Sequence, residues 1–212
     1  MRSHARAVVI GGGVVGVGTL YHLAKKGWSD SVLLERKELT SGSTWHAAGL
    51  LPLFNMSYSV GQIHKYSVNF YKELEAETGQ DVGLRQVSNI RLAMNQDRMD
   101  EYRQYAGVAS TIGIDVNFLC PEQIKDIWPL CQTKGLIGAI QHPGDGYIQP
   151  ADLTQAMAKG ARAMGAEIER HTSVIGIEQK ANDEWLVKTD KGDITCEHVI
   201  SATGNFARQT GK

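Results

Sequence analysis

The chain has 212 residues, of which 42% are hydrophobic and 21% are charged, and its formal net charge is −1. These values are typical of a globular protein with one core, or with one core and a small annex. Because there is no basic stripe or polybasic segment, nucleic acid and acidic lipid are excluded as expected partners. No apolar run approaches the roughly 20 residues of a membrane span.

The first elements predict a βαβ unit and therefore a parallel sheet. Ala7–Ile10 is an apolar run of the buried-strand type, Val14–Lys26 has helical spacing and is followed by Gly27, and Ser31–Leu34 is a second buried strand. Basic residues before an apolar run also resemble a signal peptide. Glycines interrupt this run and no small-residue cleavage site follows, so we do not expect secretion.

The rest of the chain predicts helices at Ser59–Thr78, Met99–Thr111 and Pro150–Met164 and strands at Asn89–Ala93 and Gly135–His142. Three strand-like runs, separated by short polar turns, then predict an antiparallel meander at Val174–Gln179, Trp185–Thr189 and Asp193–Glu197. A further buried strand is predicted at His198–Gly204.

The stretch GGGVVG places Gly11, Gly13 and Gly16 in a GxGxxG pattern between the first strand and the first helix, and Glu35 ends the second strand. This context predicts a dinucleotide site, with phosphates at the helix N-terminus and a ribose diol at Glu35. A carboxylate there disfavours NADP, but FAD and NAD both remain open. The alternative is a structural glycine-rich turn with a surface glutamate.

The second strand leads into SGSTWHAAGL, Ser41–Leu50. Its small residues suit backbone that passes close to a cofactor, and His46 is a candidate for chemistry among them. The alternative is a helix-capping segment with an ordinary, hydrogen-bonded histidine.

The three cysteines, Cys120, Cys131 and Cys196, are widely spaced and form no CxxC pair. The spacing indicates neither a disulfide framework nor a metal site, and it favours a reducing compartment. We therefore expect a cytoplasmic protein, or a mitochondrial-matrix protein if the source is eukaryotic.

GSTWHAAGL after an N-terminal GGGVVG resembles the dimethylglycine and sarcosine dehydrogenase group of the D-amino acid oxidase family of flavoproteins. YHLAKKG, SNIRLA, HPGDGYIQPADL and SATGNFA extend the resemblance over nearly the whole chain. It implies that FAD is the cofactor and that His46 is joined covalently to the flavin. A neutral imidazole is a competent nucleophile for such a bond.

The resemblance also implies further cofactor contacts. Val14 and Val15 would lie at the phosphate turn and Glu35 and Arg36 at the adenosine ribose. The remaining candidates are Gly42, Ser43, Thr44, Trp45, His46, Ala47, Ala48, Gly49, Leu50, Val174, Ala202, Thr203, Gly204 and Phe206. For Val174 and Phe206, plain core packing is an equally open interpretation.

The implied activity is oxidation of an N-methyl amine such as dimethylglycine, giving sarcosine, with electron-transfer flavoprotein or oxygen as the acceptor and a tetrahydrofolate site in longer relatives. Sarcosine dehydrogenation, a non-catalytic FAD-binding regulatory module and an NAD-dependent dehydrogenase remain alternatives. Arg85 and Arg91 are candidates for a substrate carboxylate by residue type alone, and a solvated surface position is expected for each. No catalytic residue is assigned in this chain.

The predicted fold is therefore α/β, a Rossmann-like FAD-binding domain with a parallel sheet and an antiparallel three-stranded meander, plus part of a substrate domain. Residues 1–80 and 150–212 are predicted to form the FAD-binding domain, and residues 81–149 to form the partial substrate domain. Because relatives continue beyond the SATG strand, the chain is expected to be an N-terminal piece that does not turn over by itself.

Overall fold

The computed structural model describes residues 2–210. The α-helices are α1 (Val14–Lys25), α2 (Tyr58–Thr78), α3 (Gln96–Ile112), α4 (Pro121–Ile127), α5 (Pro150–Ala163) and α6 (Ala207–Thr210), with 3₁₀ helices at Ser43–His46 and Gly204–Phe206. The strands are β1 (His4–Ile10), β2 (Ser31–Leu34), β3 (Leu50–Leu51), β4 (Arg85–Gln86), β5 (Asn89–Ala93), β6 (Asn117–Leu119), β7 (Gly138–His142), β8 (Gly146–Tyr147), β9 (Glu167–Glu169), β10 (Val174–Gln179), β11 (Trp185–Thr189) and β12 (Ile194–Ser201).

The main sheet has six strands in the order β10-β11-β12-β1-β2-β9. The pairs β12–β1, β1–β2 and β2–β9 are parallel. Val8, Val9 and Leu33 are fully buried, as expected for strands covered on both faces. The predicted α/β fold class, with its parallel sheet and opening βαβ unit, is confirmed.

The antiparallel meander is also confirmed, because β10 pairs with β11 and β11 pairs with β12. The prediction of separate strands at Asp193–Glu197 and His198–Gly204 was wrong. The structure has one strand, Ile194–Ser201, which pairs antiparallel with β11 along its first residues and parallel with β1 along most of its length. One strand therefore joins the meander to the parallel sheet.

The chain divides into two compact units. The first unit comprises 1–48, 74–82 and 149–212, and the second comprises 49–73 and 83–148. The assignment of a cofactor domain and a substrate domain to particular residues stays a prediction. The last two residues of the predicted cofactor domain, Gly211 and Lys212, lie outside the described residues.

In the first unit, α1 packs closely on α5. A Cβ at Gly160 of α5 would lie 2.7 Å from the ring of Tyr21, so the absence of a side chain there lets the two helices approach. A second apolar cluster that includes Val32, Val187 and Ile194 is formed by the strands of the main sheet.

The second unit contains two antiparallel three-stranded sheets, in the orders β3-β8-β4 and β5-β7-β6. Its core is centred on α3, whose Tyr102 and Tyr105 are buried with Ile140 of β7. The strands of the first sheet have only two residues each and show no usable periodicity, which is why the sequence analysis did not predict them. No helix within residues 2–210 is both long and apolar enough to cross a bilayer.

Candidate dinucleotide site

The turn between β1 and α1 depends on two glycines. Gly11 has φ +113°, and a Cβ there would lie 2.5 Å from the carbonyl oxygen of Ala202. A Cβ at Gly16 would collide with the carbonyl oxygen of Gly11. The backbone is therefore packed more closely than any side chain would allow, as a phosphate-binding turn of this type requires.

The N-terminus of α1 carries no acidic side chain that would repel an anion. Gly13 is the N-cap and has no side chain that could cap the helix, and no acidic residue lies in the first turn. The N–H of Val14 donates to Thr44 Oγ1 at 2.9 Å, and Val15 is 69% exposed. The positive end of the helix dipole is thus accessible to a phosphate.

Glu35 lies directly beside the glycine turn. Its two carboxylate oxygens accept hydrogen bonds from the N–H of Gly12 at 2.6 Å and the N–H of Lys37 at 2.8 Å. A carboxylate has about four lone-pair positions, so both oxygens can still accept from a ribose diol. Gly12 was not among the predicted site residues, although a Cβ there would lie 2.9 Å from the side chain of Glu35.

Backbone hydrogen bonds fasten the segment after β2 to the same turn. Thr40 donates its N–H to the carbonyl of Gly12 at 2.9 Å, and Trp45 donates its N–H to the carbonyl of Thr40 at 3.4 Å. Thr44, whose Oγ1 accepts the hydrogen bond from the N–H of Val14, is buried. The small residues therefore carry their neighbour His46 on a backbone attached to the phosphate turn.

His46 is the last residue of the 3₁₀ helix Ser43–His46, and its side chain is exposed. Its Nδ1 lies 3.1 Å from the carbonyl oxygen of Gly42, and its ring centroid lies 3.8 Å from that of Trp45. Because a carbonyl only accepts, Nδ1 carries the proton in the neutral ring and Nε2 carries the lone pair. The geometry presents Nε2 as the nucleophilic nitrogen.

The turn after β12 lies against the glycine turn. Ala202 donates its N–H to the carbonyl of Ile10 at 2.8 Å, and Ser201 Oγ lies 3.3 Å from Thr203 Oγ1. Gly204 has φ +56° and begins the 3₁₀ helix that ends at Phe206. The predicted Ala202-Thr203-Gly204 turn thus lies at the same sheet edge as Gly11.

Arg36 and Phe206 form a cation–π pair, with the guanidinium carbon 4.0 Å from the ring centroid. Both side chains are exposed. Two residues predicted separately from the sequence are therefore in contact with each other, and Arg36 is next to Glu35 in the chain.

For five further predicted residues, the assignment as cofactor contacts stays a prediction. Val174 is half-buried and packs on the apolar cluster of the main sheet. Ala47 and Ala48 are exposed beyond the 3₁₀ helix. Gly49 and Leu50 belong to the second unit, where Leu50 pairs with Tyr147 of β8.

These residues fit a dinucleotide cofactor. The glycine turn leaves no space for side chains, the first turn of α1 carries no acidic residue and a carboxylate lies where a ribose diol would bind. Residues 2–210 contain no group of three or more metal-ligating side chains arranged to hold an ion.

The model of the FAD-dependent oxidoreductase family (DAO) matches residues 6–212. The chain belongs to this family. The predicted resemblance to the dimethylglycine and sarcosine dehydrogenase group is confirmed.

Human mitochondrial dimethylglycine dehydrogenase is 40% identical over 211 residues, which cover 100% of the chain and 24% of that enzyme. The mitochondrial regulatory subunit of pyruvate dehydrogenase phosphatase from Mus musculus is 34% identical over 209 residues, with 99% and 24% covered. The chain thus spans about a quarter of the length of these relatives. The crystal structure of L-proline dehydrogenase from P. horikoshii superposes with a TM-score of 0.91 at 28% identity, covering 100% of the chain and 56% of that structure.

Proposed function

We propose that the chain forms the FAD-binding part of a flavoprotein that oxidises an N-methyl amine, with dimethylglycine as the substrate and sarcosine as the product. The observation that carries the proposal is the attachment of the His46 segment to the phosphate turn through Thr40 and Thr44. A dinucleotide bound at the turn would lie next to a backbone segment that carries a histidine with an available Nε2.

The groups around the glycine turn each have a defined role in this proposal. The uncapped amides at the start of α1 bind the pyrophosphate, and Glu35 accepts the ribose hydroxyls. The exposed Arg36–Phe206 surface lies beside Glu35 and contacts the adenosine portion. Together these contacts fix the cofactor by backbone geometry and one carboxylate.

Nε2 of His46 would form the covalent bond to a methyl carbon of the flavin: the methyl group and Nδ1 would each give up a proton, and the two electrons left on the flavin would pass to the electron acceptor. Before that bond forms, the carbonyl of Gly42 keeps the proton on Nδ1, and the ring of Trp45 limits the rotation of the imidazole. A covalent bond prevents dissociation of the flavin. FAD, when bound, accepts a hydride equivalent from the N-methyl carbon of the amine.

The electron acceptor in this proposal is electron-transfer flavoprotein or oxygen. Any tetrahydrofolate site lies outside residues 1–212 in this proposal. The mitochondrial names of the relatives support a matrix location for a eukaryotic source. A cytoplasmic location is proposed for a bacterial source.

A second candidate function is that of a non-catalytic FAD-binding regulatory module. It is supported by the similarity to a relative that is named as a regulatory subunit. Sarcosine remains the alternative substrate if the protein is an enzyme.

The test is anaerobic reduction of the FAD-reconstituted chain by dimethylglycine, followed by visible flavin absorbance. Bleaching by dimethylglycine and not by its carbon analogue 3-methylbutanoate supports amine oxidation. Bound flavin that dithionite reduces and the amine does not contradicts amine oxidation by this chain alone and supports FAD binding, which the regulatory module shares. A chain that binds no FAD contradicts both candidates.

A further inference from the structure

The second unit contains a cavity of about 220 Å³. Its walls come from β3, β5 and β8 and from the residues next to them. The cavity is smaller than the roughly 300–1,000 Å³ of pockets for drug-sized ligands, so it suits a molecule of a few heavy atoms. Its lining residues are Leu50, Leu51, Pro52, Val87, Ser88, Asn89, Arg91, Asp145, Gly146 and Tyr147.

Asp145 is a buried carboxylate in the cavity wall, with only 1% of its surface exposed. Its Oδ1 accepts the N–H of Leu53 at 2.8 Å, but its Oδ2 is buried without a partner among the described residues. Its backbone is held as well, because its carbonyl accepts the N–H of Ser88 at 3.0 Å. A buried carboxylate oxygen with no donor is costly to maintain unless a ligand supplies one.

Arg91 lines the same cavity and is not paired with Asp145. Its guanidinium carbon lies 4.2 Å from the centroid of the Phe54 ring, and its Nε is buried without a hydrogen-bond acceptor. The expectation of a solvated surface charge at Arg91 was therefore wrong, because the side chain is half-buried on an aromatic face. Stacking on Phe54 holds the guanidinium plane and leaves its N–H groups for a carboxylate.

We infer that this cavity binds a small zwitterion, whose ammonium group is held by Asp145 and whose carboxylate is held by Arg91. The two lining charges cancel, so a cation alone would meet the uncompensated guanidinium and an anion alone would meet the uncompensated carboxylate. Leu50, Val87 and Tyr147 are apolar or aromatic lining residues that are 69%, 62% and 45% exposed. They give a wall on which N-methyl groups of the ligand pack.

The surroundings keep Asp145 available as an anion at neutral pH. Burial raises the pKa of Asp145 to about 6, while the Leu53 N–H, Arg91 and His64 act in the opposite direction. Burial, with a further contribution from Arg91, lowers the pKa of His142 to about 4. The imidazole of His142 is therefore uncharged at neutral pH. The hydroxyl of Tyr105 donates a hydrogen bond to the carbonyl oxygen of Leu53 at 3.2 Å.

This inference deepens the proposed function, since it names the charge pattern of the amine ligand, and it rests on that function only for the choice of probe. The experiment is calorimetric titration of the FAD-free 212-residue chain with three molecules of nearly equal shape. Dimethylglycine carries both charges, dimethylglycinamide lacks the carboxylate and 3-methylbutanoate lacks the amine. We expect dimethylglycine to bind at least roughly tenfold more tightly than either analogue.

Two substitutions assign the charges. In Arg91→Gln the preference for dimethylglycine over dimethylglycinamide is lost, and in Asp145→Asn the preference over 3-methylbutanoate is lost. Arg103→Gln and Asp126→Asn, which change exposed residues of the same unit, keep both preferences. Circular dichroism checks the folding of each variant, and the ligand series on the unsubstituted chain requires no variant.

Equal binding of the three molecules, or no binding of dimethylglycine, overturns the inference. So does unchanged selectivity in folded Arg91→Gln and Asp145→Asn. Because FAD is absent from these titrations, selective binding by a chain that fails to bind FAD would reject the proposed function and retain the inference.

Discussion

The glycine turn of the first unit and the cavity of the second unit hold their polar groups in opposite ways. At the turn, both oxygens of Glu35 and the hydroxyl of Thr44 are bonded to backbone N–H groups, and the surface around them is open. In the cavity, Asp145 Oδ2 and Arg91 Nε are buried and have no hydrogen-bond partner in the described part of the chain. The first arrangement recognises a ligand by backbone shape, whereas the second does so by unpaired charge.

Gly16→Ala is expected to break the first arrangement most severely. The added Cβ would collide with the Gly11 carbonyl, so the turn must open, at a cost of roughly 3 kcal/mol or more. FAD binding is lost together with stability, as measured by flavin fluorescence and thermal unfolding. Gly107→Ala in α3 is the control, because a Cβ there has no atom within 4 Å and alanine gains up to about 1 kcal/mol in a helix.

Asp145→Asn tests whether the second unit maintains a buried charge. The pKa of this carboxyl is about 6 in the folded chain against 3.8 ordinarily, so its contribution to stability falls as pH rises through this window and is lowest above it. The free energy of unfolding of the variant, taken relative to that of the unsubstituted chain, should rise by up to about 3 kcal/mol between about pH 4 and about pH 8. Urea unfolding at both pH values measures this gain, and a pH-independent difference would show that the carboxylate is not desolvated.

Glu35→Gln sharpens the role assigned to the carboxylate at the turn. An amide NH₂ would face either the N–H of Gly12 or that of Lys37, so a donor would replace one acceptor. We expect FAD affinity to fall roughly tenfold, or about 1.4 kcal/mol. Glu38→Gln, which removes the charge of an exposed carboxylate paired with Arg170 and His171, should leave the affinity unchanged.

The smallest expected effect is at the Arg36–Phe206 surface. Phe206→Leu removes the cation–π contact, which is worth about 0.5–1 kcal/mol at an exposed site. FAD affinity should fall by a few-fold and the melting temperature should change little. A loss as large as that of Gly16→Ala would instead make Phe206 part of the folding core.

The same contrast explains how much the sequence could predict. Gly11, Gly16 and Glu35 have a fixed spacing set by the βαβ geometry, and they lie together at the sheet edge as predicted. The joining of Asp193–Glu197 to the following strand was missed, because a strand that changes partners has no break in its hydrophobic pattern. Arg91 and Asp145 show only their residue types in a sequence, since burial and lack of a partner depend on distant segments.

The proposed function depends most on a flavin bound covalently at His46. Peptide mass spectrometry after incubation of the chain with FAD tests this bond directly. The chain has no Lys or Arg between Lys37 and Lys65, so trypsin releases one peptide that contains both His46 and His64. We predict that this peptide carries the mass of FAD, that fragmentation places it on His46 and that His46→Ala abolishes it. An unmodified peptide from a chain that binds FAD, or an adduct on His64, would contradict the account.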